Sequence, residues 1–231
     1  MIALHDLCVE AGDFRLEGIA LSVPPGSYTV LMGKSGSGKT TLLESICGLR
    51  TPRAGRIFLE GRDATALRPG ERGVGYVPQD GALFSSMTVR EHLSFSLRIR
   101  RQARRDINTR VDEVAAAIGL AHLLERCPAG LSGGEVQRVA LGRALAFHPR
   151  ILCMDEPLSA LDPESRAEIG TLLRHLHRTQ GITVLHATHS KEEAQKLGQR
   201  IFRLEAGVII QGEGIGGVNE ARTAEETETR T

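Results

Sequence analysis

A short apolar run spans Tyr28 to Met32, stops at Gly33, and apolar residues return at Leu42, Leu43, Ile46 and Leu49. The run reads as a buried strand and the return as one face of a helix. Upstream, Ile2–Leu4, Phe14–Leu16 and Ile19–Val23 alternate loosely as short strands, and Pro24-Pro25-Gly26 marks a turn. Gly48–Gly55 breaks the pattern, Arg56–Gly61 reads as strand and turn, and Gly73–Gln79 as a short strand ending at a polar residue. From about Met87 the period lengthens. Thr88–Arg101 carries Val89, Leu93 and Leu97, Asp106–Leu124 carries Val111, Val114 and Ile118, and Val136–Phe147 reads as a third helix. Dense apolar strands then recur at 150–154 and 182–188, and Ile201–Leu204 with Val208–Ile210 flank Ala206-Gly207 as a closing hairpin. The pattern is that of an α/β chain with a helical insertion at about 85–147. From Gly212 to Thr231 apolar residues are sparse, and a disordered tail is expected.

The chemistry concentrates where strands end. Gly33-Lys34-Ser35-Gly36-Ser37-Gly38-Lys39-Thr40 fits G-x-x-x-x-G-K-[ST] between a strand and a helix, the context that motif requires. Glycines let the backbone turn its N–H groups inward as a concavity for phosphate oxygens. The helix opening near Gly38 adds free N–H groups and the positive end of its dipole. Lys39 brings a point charge to the outer phosphates, and the Thr40 hydroxyl can ligate Mg²⁺. A Gly/Ser linker would share the composition, but linkers are rarely clamped between a strand and an amphipathic helix. The motif points to a nucleoside triphosphate without saying which.

Asp155 and Glu156 end another apolar strand. In a chain with a phosphate loop, that position suits a Mg²⁺ carboxylate followed by a group that orients or deprotonates water. Leu131-Ser132-Gly133-Gly134-Glu135 has capping-box spacing, so a well-capped helix explains Ser132 and Glu135. It does not explain two glycines, which a helix start touching phosphate would favour. Gln79 reads as a loop amide past a strand end, Asp162 as a helix cap, Phe14 as core packing, and His186 as a packed core histidine. His189 lies at a strand end.

Composition narrows the alternatives. With 231 residues, 41% apolar and 25% charged, the chain is long enough for a substantial core. A net charge of +1 and 3% aromatics argue against nucleic acid. Cys8, Cys47, Cys127 and Cys153 form no C-x-x-C pair and read as free thiols of a reducing compartment. The histidines show no metal spacing with Cys or acid partners. The opening Met-Ile-Ala-Leu-His-Asp has neither a basic n-region nor an apolar h-region, so no signal peptide is expected, and no run approaches a membrane span, so a membrane role needs a partner. The block Arg98–Arg105 reads as a solvated basic face, with a membrane-surface or acidic-partner role second.

Taken in order over residues 1–211, these motifs resemble the ATP-binding cassette family. Gly33–Thr40 is similar to its Walker A loop, Gln79 to its Q-loop glutamine, Leu131–Glu135 to its LSGGQ signature, Asp155 and Glu156 to its Walker B aspartate and catalytic glutamate, Ser159–Asp162 to its D-loop, and His189 to its switch histidine. The segment Gln79–Val89 looks most like bacterial importer subunits of the molybdate, iron, polyamine and sugar type. The resemblance implies a P-loop NTPase core, mostly parallel with N-terminal antiparallel strands, and ATP and Mg²⁺ as ligands. Lys39, Glu156 and His189 would be catalytic. Thr40, Gln79 and Asp155 would serve the metal. The loop from Gly33 through Thr41, with Phe14, Gln79, Ser132, Gly133, Gly134, Glu135 and Asp162, would bind ATP. It further implies a homodimer with ATP sandwiched between one copy's loop and the other's signature. The subunit would sit peripherally on the cytoplasmic face of the inner membrane, with permease subunits and, through them, a solute-binding protein.

Three features depart from the family. Glu135 replaces the usual Gln and adds negative charge, Phe14 lies closer to the loop than the base-stacking aromatic usually does, and the regulatory domain of sugar-type members is missing. A non-transport member, an exporter or lipoprotein or division-type member, and a non-catalytic scaffold are the alternatives. The single signature and the Asp155-Glu156 pair weigh against the first and last.

Overall fold

The computed structural model describes residues 1–12 and 14–212. All of the expected tail except Gly212 lies outside them. Two long strands, β1 (Ile2–Ala11) and β2 (Phe14–Val23), pair antiparallel, and β4 (Ala54–Leu59) and β5 (Arg62–Asp63) extend that sheet in the order β2-β1-β4-β5. The second sheet is built from β3 (Tyr28–Met32), β6 (Val74–Val77), β7 (Ile151–Asp155), β8 (Thr183–Thr188), β9 (Arg200–Glu205) and β10 (Val208–Gln211). Its order is β10-β9-β3-β8-β7-β6, parallel throughout except for the β9–β10 hairpin.

Strands buried on both faces explain the short apolar runs. Alternation survives within them. Leu31, Ile151, Cys153, Leu185 and Ala187 face a core shared with the antiparallel sheet and with helix α1 (Lys39–Cys47). Tyr28, Val30, Met32, Leu152, Met154 and Val184 face the opposite core. Helix α4 (Gly133–Leu145), α5 (Pro163–Gln180) and α6 (Lys191–Leu197) cover that side. Asp162 caps α5 by accepting from the N–H groups of Glu164 and Ser165, Pro163 occupies its first turn, and Gly181 ends it in the left-handed region.

A third core lies among α2 (Val89–Ile99), α3 (Arg104–Ala117) and the outer face of α4. Helix α4 is therefore a seam, giving Ala140, Leu141 and Ala144 to the sheet and Val139 to the helices.

Three expectations about boundaries change. Gly48 stops α1 with a φ of 81°, so Leu49 is not on its buried face but 57% exposed. The helix expected over Asp106–Leu124 ends at Ala117, because Gly119 turns left-handed and a short 3₁₀ turn follows. The third helix starts at Gly133, earlier than the apolar pattern indicates, since Ser132 is its cap. Arg72 also closes α1. Its guanidinium donates to the carbonyls of Ser45 and Ile46 at 2.7 and 3.0 Å, adding to the Gly48 N–H bond at the first and serving carbonyls of the last turn.

Candidate functional site

The Gly33–Thr40 loop leaves the end of β3, in the middle of the parallel sheet, and opens into α1. Two of its glycines are required by close approach. A Cβ on Gly33 would meet Ser37 Oγ at 2.5 Å and the Leu204 carbonyl at 2.9 Å. One on Gly38, whose φ is +101°, would meet the Phe14 ring at 2.7 Å. The Lys39 side chain is 5% exposed and curls back over the loop, donating to the carbonyls of Gly33 and Lys34 at 2.8 and 3.1 Å.

Parallel pairing sets the ends of β7 and β8 beside that loop. Thr40 Oγ1 donates to Asp155 Oδ2 at 2.6 Å. Asp155 Oδ1 is buried and has no hydrogen-bond partner. Burial pushes this carboxyl above its ordinary range; the bond from Thr40 opposes that and the charge of Glu156 adds to it. Glu156 leaves the strand at a φ of +47°, a conformation costing a non-glycine residue roughly 1–3 kcal/mol. Its N–H donates to the Ala187 carbonyl at 2.9 Å, which anchors the turn. Its carboxylate is then held on both sides, 3.3 Å from Lys39 Nζ and 2.7 Å from His189 Nδ1.

The structure gathers Phe14, Gln79, Asp155, Glu156 and His189 with most of the loop, including Thr41, around one cavity of about 940 Å³. Ser37 does not line it; its buried Oγ turns toward Gly33. Ser132, Gly133, Gly134, Glu135 and Asp162 do not line it either. They neighbour one another at the start of α4 and α5, where a Cβ on Gly134 would lie 3.0 Å from Ser165 Oγ. The capping box is complete. Glu135 Nα donates to Ser132 Oγ at 3.3 Å, and Ser132 N–H donates to Glu135 Oε2 at 2.7 Å. That N–H holds the Glu135 carboxyl below its ordinary range.

Two supports escape sequence reading. Glu193, buried on α6, accepts from Thr188 Oγ1 at 2.7 Å, and Thr188 Oγ1 accepts from the Ser190 N–H at 3.1 Å, bracketing His189. Burial pushes the Glu193 carboxyl up, but its contacts with His186 and Thr188 prevail and leave it low. His186 is packed as expected, its Nδ1 3.0 Å from the Tyr28 hydroxyl. The second support is Arg143 on α4, which donates to the carbonyls of Ala82 and Gly81 at 2.6 and 2.7 Å. The turn after Gln79 is thereby fixed to the helix that Ser132 caps. Arg203 and Glu205 also line the cavity, a position that depends on β9 lying beside β3, and Lys191 joins them from the start of α6.

A parallel sheet whose central strand runs through such a glycine loop into a helix defines a P-loop NTPase. Residues 16–159 match the family model described as ABC transporter, and the chain belongs to that family. It is 42% identical over 208 residues to the molybdate/tungstate import ATP-binding protein WtpC of Thermococcus kodakarensis, covering 90% of this chain and 62% of that protein. It is 42% identical over 212 residues to the sulfate/thiosulfate import ATP-binding protein CysA of Nocardia farcinica, covering 91% and 64%. The chain thus spans less than two thirds of the length of these curated relatives. Among solved structures, the ATP-binding cassette MJ0796, in a dimeric post-hydrolysis state bound to ADP and Pi, aligns with a TM-score of 0.85 at 30% identity, covering 94% of this chain and all of that one. The cbiO1 protein of Clostridium perfringens, part of the transporter complex cbiONQ, aligns with a TM-score of 0.81 at 30% identity, covering 91% and 87%.

Proposed function

We propose that this chain is the ATP-hydrolysing subunit of an importer and works as a head-to-tail pair of copies on the cytoplasmic face of the membrane. The observation that carries this reading is the division of the motifs. The loop, both acids and His189 share one cavity, while Ser132–Gly134 lie outside it. Each cavity is then finished by the other copy's Ser132–Gly134, so ATP joins the two. The dimeric state of the MJ0796 structure supports the pairing.

In the mechanism, incoming phosphates take Lys39 from Glu156 and from the two loop carbonyls. The freed Glu156 accepts a proton from the water that attacks the γ-phosphorus, and the bond to the ADP oxygen breaks. His189 holds Glu156 in place, and the loop N–H groups with Lys39 take up the developing charge. The orphaned Asp155 oxygen beside the Thr40 hydroxyl fits Mg²⁺, with Gln79 facing the same cavity. Among the described residues no group of three or more His, Cys, Asp or Glu forms a protein-only metal cage, as suits an ion that shares phosphate and water. Bound there, Mg²⁺ would add positive charge to the outer phosphates.

No helix among the described residues is long and apolar enough to cross a membrane. In this reading the solute passes through separate permease subunits. Phe84, 52% exposed, and Phe95, with ring centroids 6.0 Å apart, offer an apolar seat for a permease helix just after Gln79. His92 Nε2 accepts from the Phe84 N–H at 2.9 Å and fixes that segment. A solute-binding protein would act through the permease. The relatives' oxyanions are the first cargo class to test.

The test is ATP-dependent dimerisation of Glu156→Gln by size-exclusion chromatography, with and without Ser132→Arg. Glu156→Gln alone should shift to a dimer with ATP. The double variant should bind a fluorescent ATP analogue yet remain monomeric. A double variant that still dimerises, or an active monomer, would overturn the proposal.

A further inference from the structure

We propose that the corner between α2 and α3, residues 98–105, is a contact site for anionic phospholipid headgroups. Arg98, Arg100, Arg101, Arg104 and Arg105 are all exposed there, and no carboxylate intervenes before Asp106. Arg100 is tethered, its guanidinium 4.3 Å above the Phe147 ring. Among the described residues, the other four arginines form no ion pair. Ile99 sits among them with 66% of its surface exposed, the highest of the large apolar residues that stand out from the core.

Local structure does not account for this charge. Arg101 holds a left-handed φ of +55°, where glycine or asparagine would be less strained. Arg104 and Arg105 open α3, at the end where the helix dipole disfavours cations, and Ala103 provides no side-chain cap. Broken local rules of this kind mark functional surfaces. All eight residues of the corner are solvent-exposed. A fluid charged plane needs no complementary shape, whereas an acidic protein segment would need a groove to fix its register. An apolar side chain amid arginines also suits the headgroup layer, with Ile99 dipping below the phosphates. Nucleic acid fits poorly, since the exposed apolar residue here is aliphatic and offers no stacking face.

The inference rests on the corner itself and goes beyond the ATPase reading. None of these residues lines the nucleotide cavity. The experiment is co-sedimentation of the full chain, without nucleotide, with vesicles of equal parts phosphatidylglycerol and phosphatidylcholine or of phosphatidylcholine alone. Binding should require phosphatidylglycerol and vanish when salt shrinks the Debye length to about 3 Å. Replacing Arg98, Arg101, Arg104 and Arg105 with Gln should weaken partitioning at least about a hundredfold, at roughly fivefold per charge near an anionic surface. Ile99→Ser should weaken it less. ATP hydrolysis by the quadruple variant should be unchanged, which shows that it has folded. Equal sedimentation with both vesicle types, or undiminished binding by the quadruple variant, would overturn the assignment. Capture by polyglutamate with no vesicle binding would overturn it in favour of an acidic protein partner. Vesicle binding by a protein that hydrolyses no ATP would count against the proposed function and leave this site standing.

Discussion

Replacing Glu156 with Gln should lower turnover and tighten ATP binding together. Lys39 Nζ lies 3.3 Å from Glu156 Oε1, with the two side chains only 5% and 9% exposed. At that separation an effective dielectric of 20 gives a gross attraction of about 5 kcal/mol, an upper figure before desolvation. In the proposed mechanism ATP breaks this pair to engage Lys39, and its γ-phosphate also approaches the Glu156 charge. Gln removes both penalties. It keeps an oxygen for His189, now 2.7 Å from the carboxylate, so the turn should hold. If even a third of the gross attraction is recovered, ATP affinity rises about tenfold. Loss of the proton acceptor should cut the hydrolysis rate about a hundred- to ten-thousandfold. Calorimetric titration without divalent ions, where hydrolysis is suppressed, measures affinity, and phosphate release with Mg²⁺ measures turnover. Unchanged or weaker affinity would show that the Lys39–Glu156 pair is no barrier to the nucleotide. Undiminished phosphate release would remove Glu156 from the base role.

Gly38→Ala combines a left-handed backbone with a methyl 2.7 Å from the Phe14 ring, so it should cost about 2–4 kcal/mol in chemical denaturation. Adding Phe14→Leu should recover the crowding part only. Glu193 is held below its ordinary pKa of 4.5, so its contribution is present above that value and is lost as pH falls through the folded-state value. Acid titration of stability should show this loss in the native chain and a shallower slope in Glu193→Gln. The same variant should lower the hydrolysis rate by loosening His189; an unchanged rate would confine Glu193 to stability. Arg143→Ala frees two carbonyl contacts, one exposed and one part-buried, and should destabilise by about 2 kcal/mol. Arg143→Lys should restore only part of that, because one ammonium replaces a fork.

Whatever depends on neighbours along the chain was legible. The Tyr28–Met32 strand, its glycine loop and the start of α1 were evident because period and glycine spacing are local signals. The Asp162 cap was legible for the same reason. Errors arose where two local signals competed. Leu49 keeps helical spacing after Ile46, yet Gly48 adopts a left-handed cap and wins. Gly119 likewise cuts short the helix expected to reach Leu124. What stayed hidden depends on topology. Arg143 lies 61 residues from its Ala82 carbonyl, and on a helix wheel it is one more surface cation. Glu193 reads as an acid on an exposed helix face until α6 folds against β8. Phe14 meets Gly38 only because β2 returns beside the loop; Phe14 is thus both core and cavity wall.

The two glycines after Ser132 divide the explanation between the chain and its partner. Gly134 is fully accounted for internally, because Ser165 Oγ would lie 3.0 Å from its Cβ. Gly133 is not: its Cβ would meet nothing nearer than Leu161 Cδ2 at 3.7 Å, an ordinary contact. It sits in the first turn of α4, where alanine would favour the helix by about 1 kcal/mol. Packing within a lone copy gives no reason for a bare backbone at this position, and the proposed pairing supplies one. Glu135 is read the same way. Its carboxylate already accepts the Ser132 N–H, an acceptor role that a glutamine oxygen would fill equally, so its charge is spent on the cap. Under the proposed pairing, the edge left for a second copy is the Ser132 hydroxyl and the Gly133 backbone, both neutral, and both suited to a phosphate on the other copy's loop.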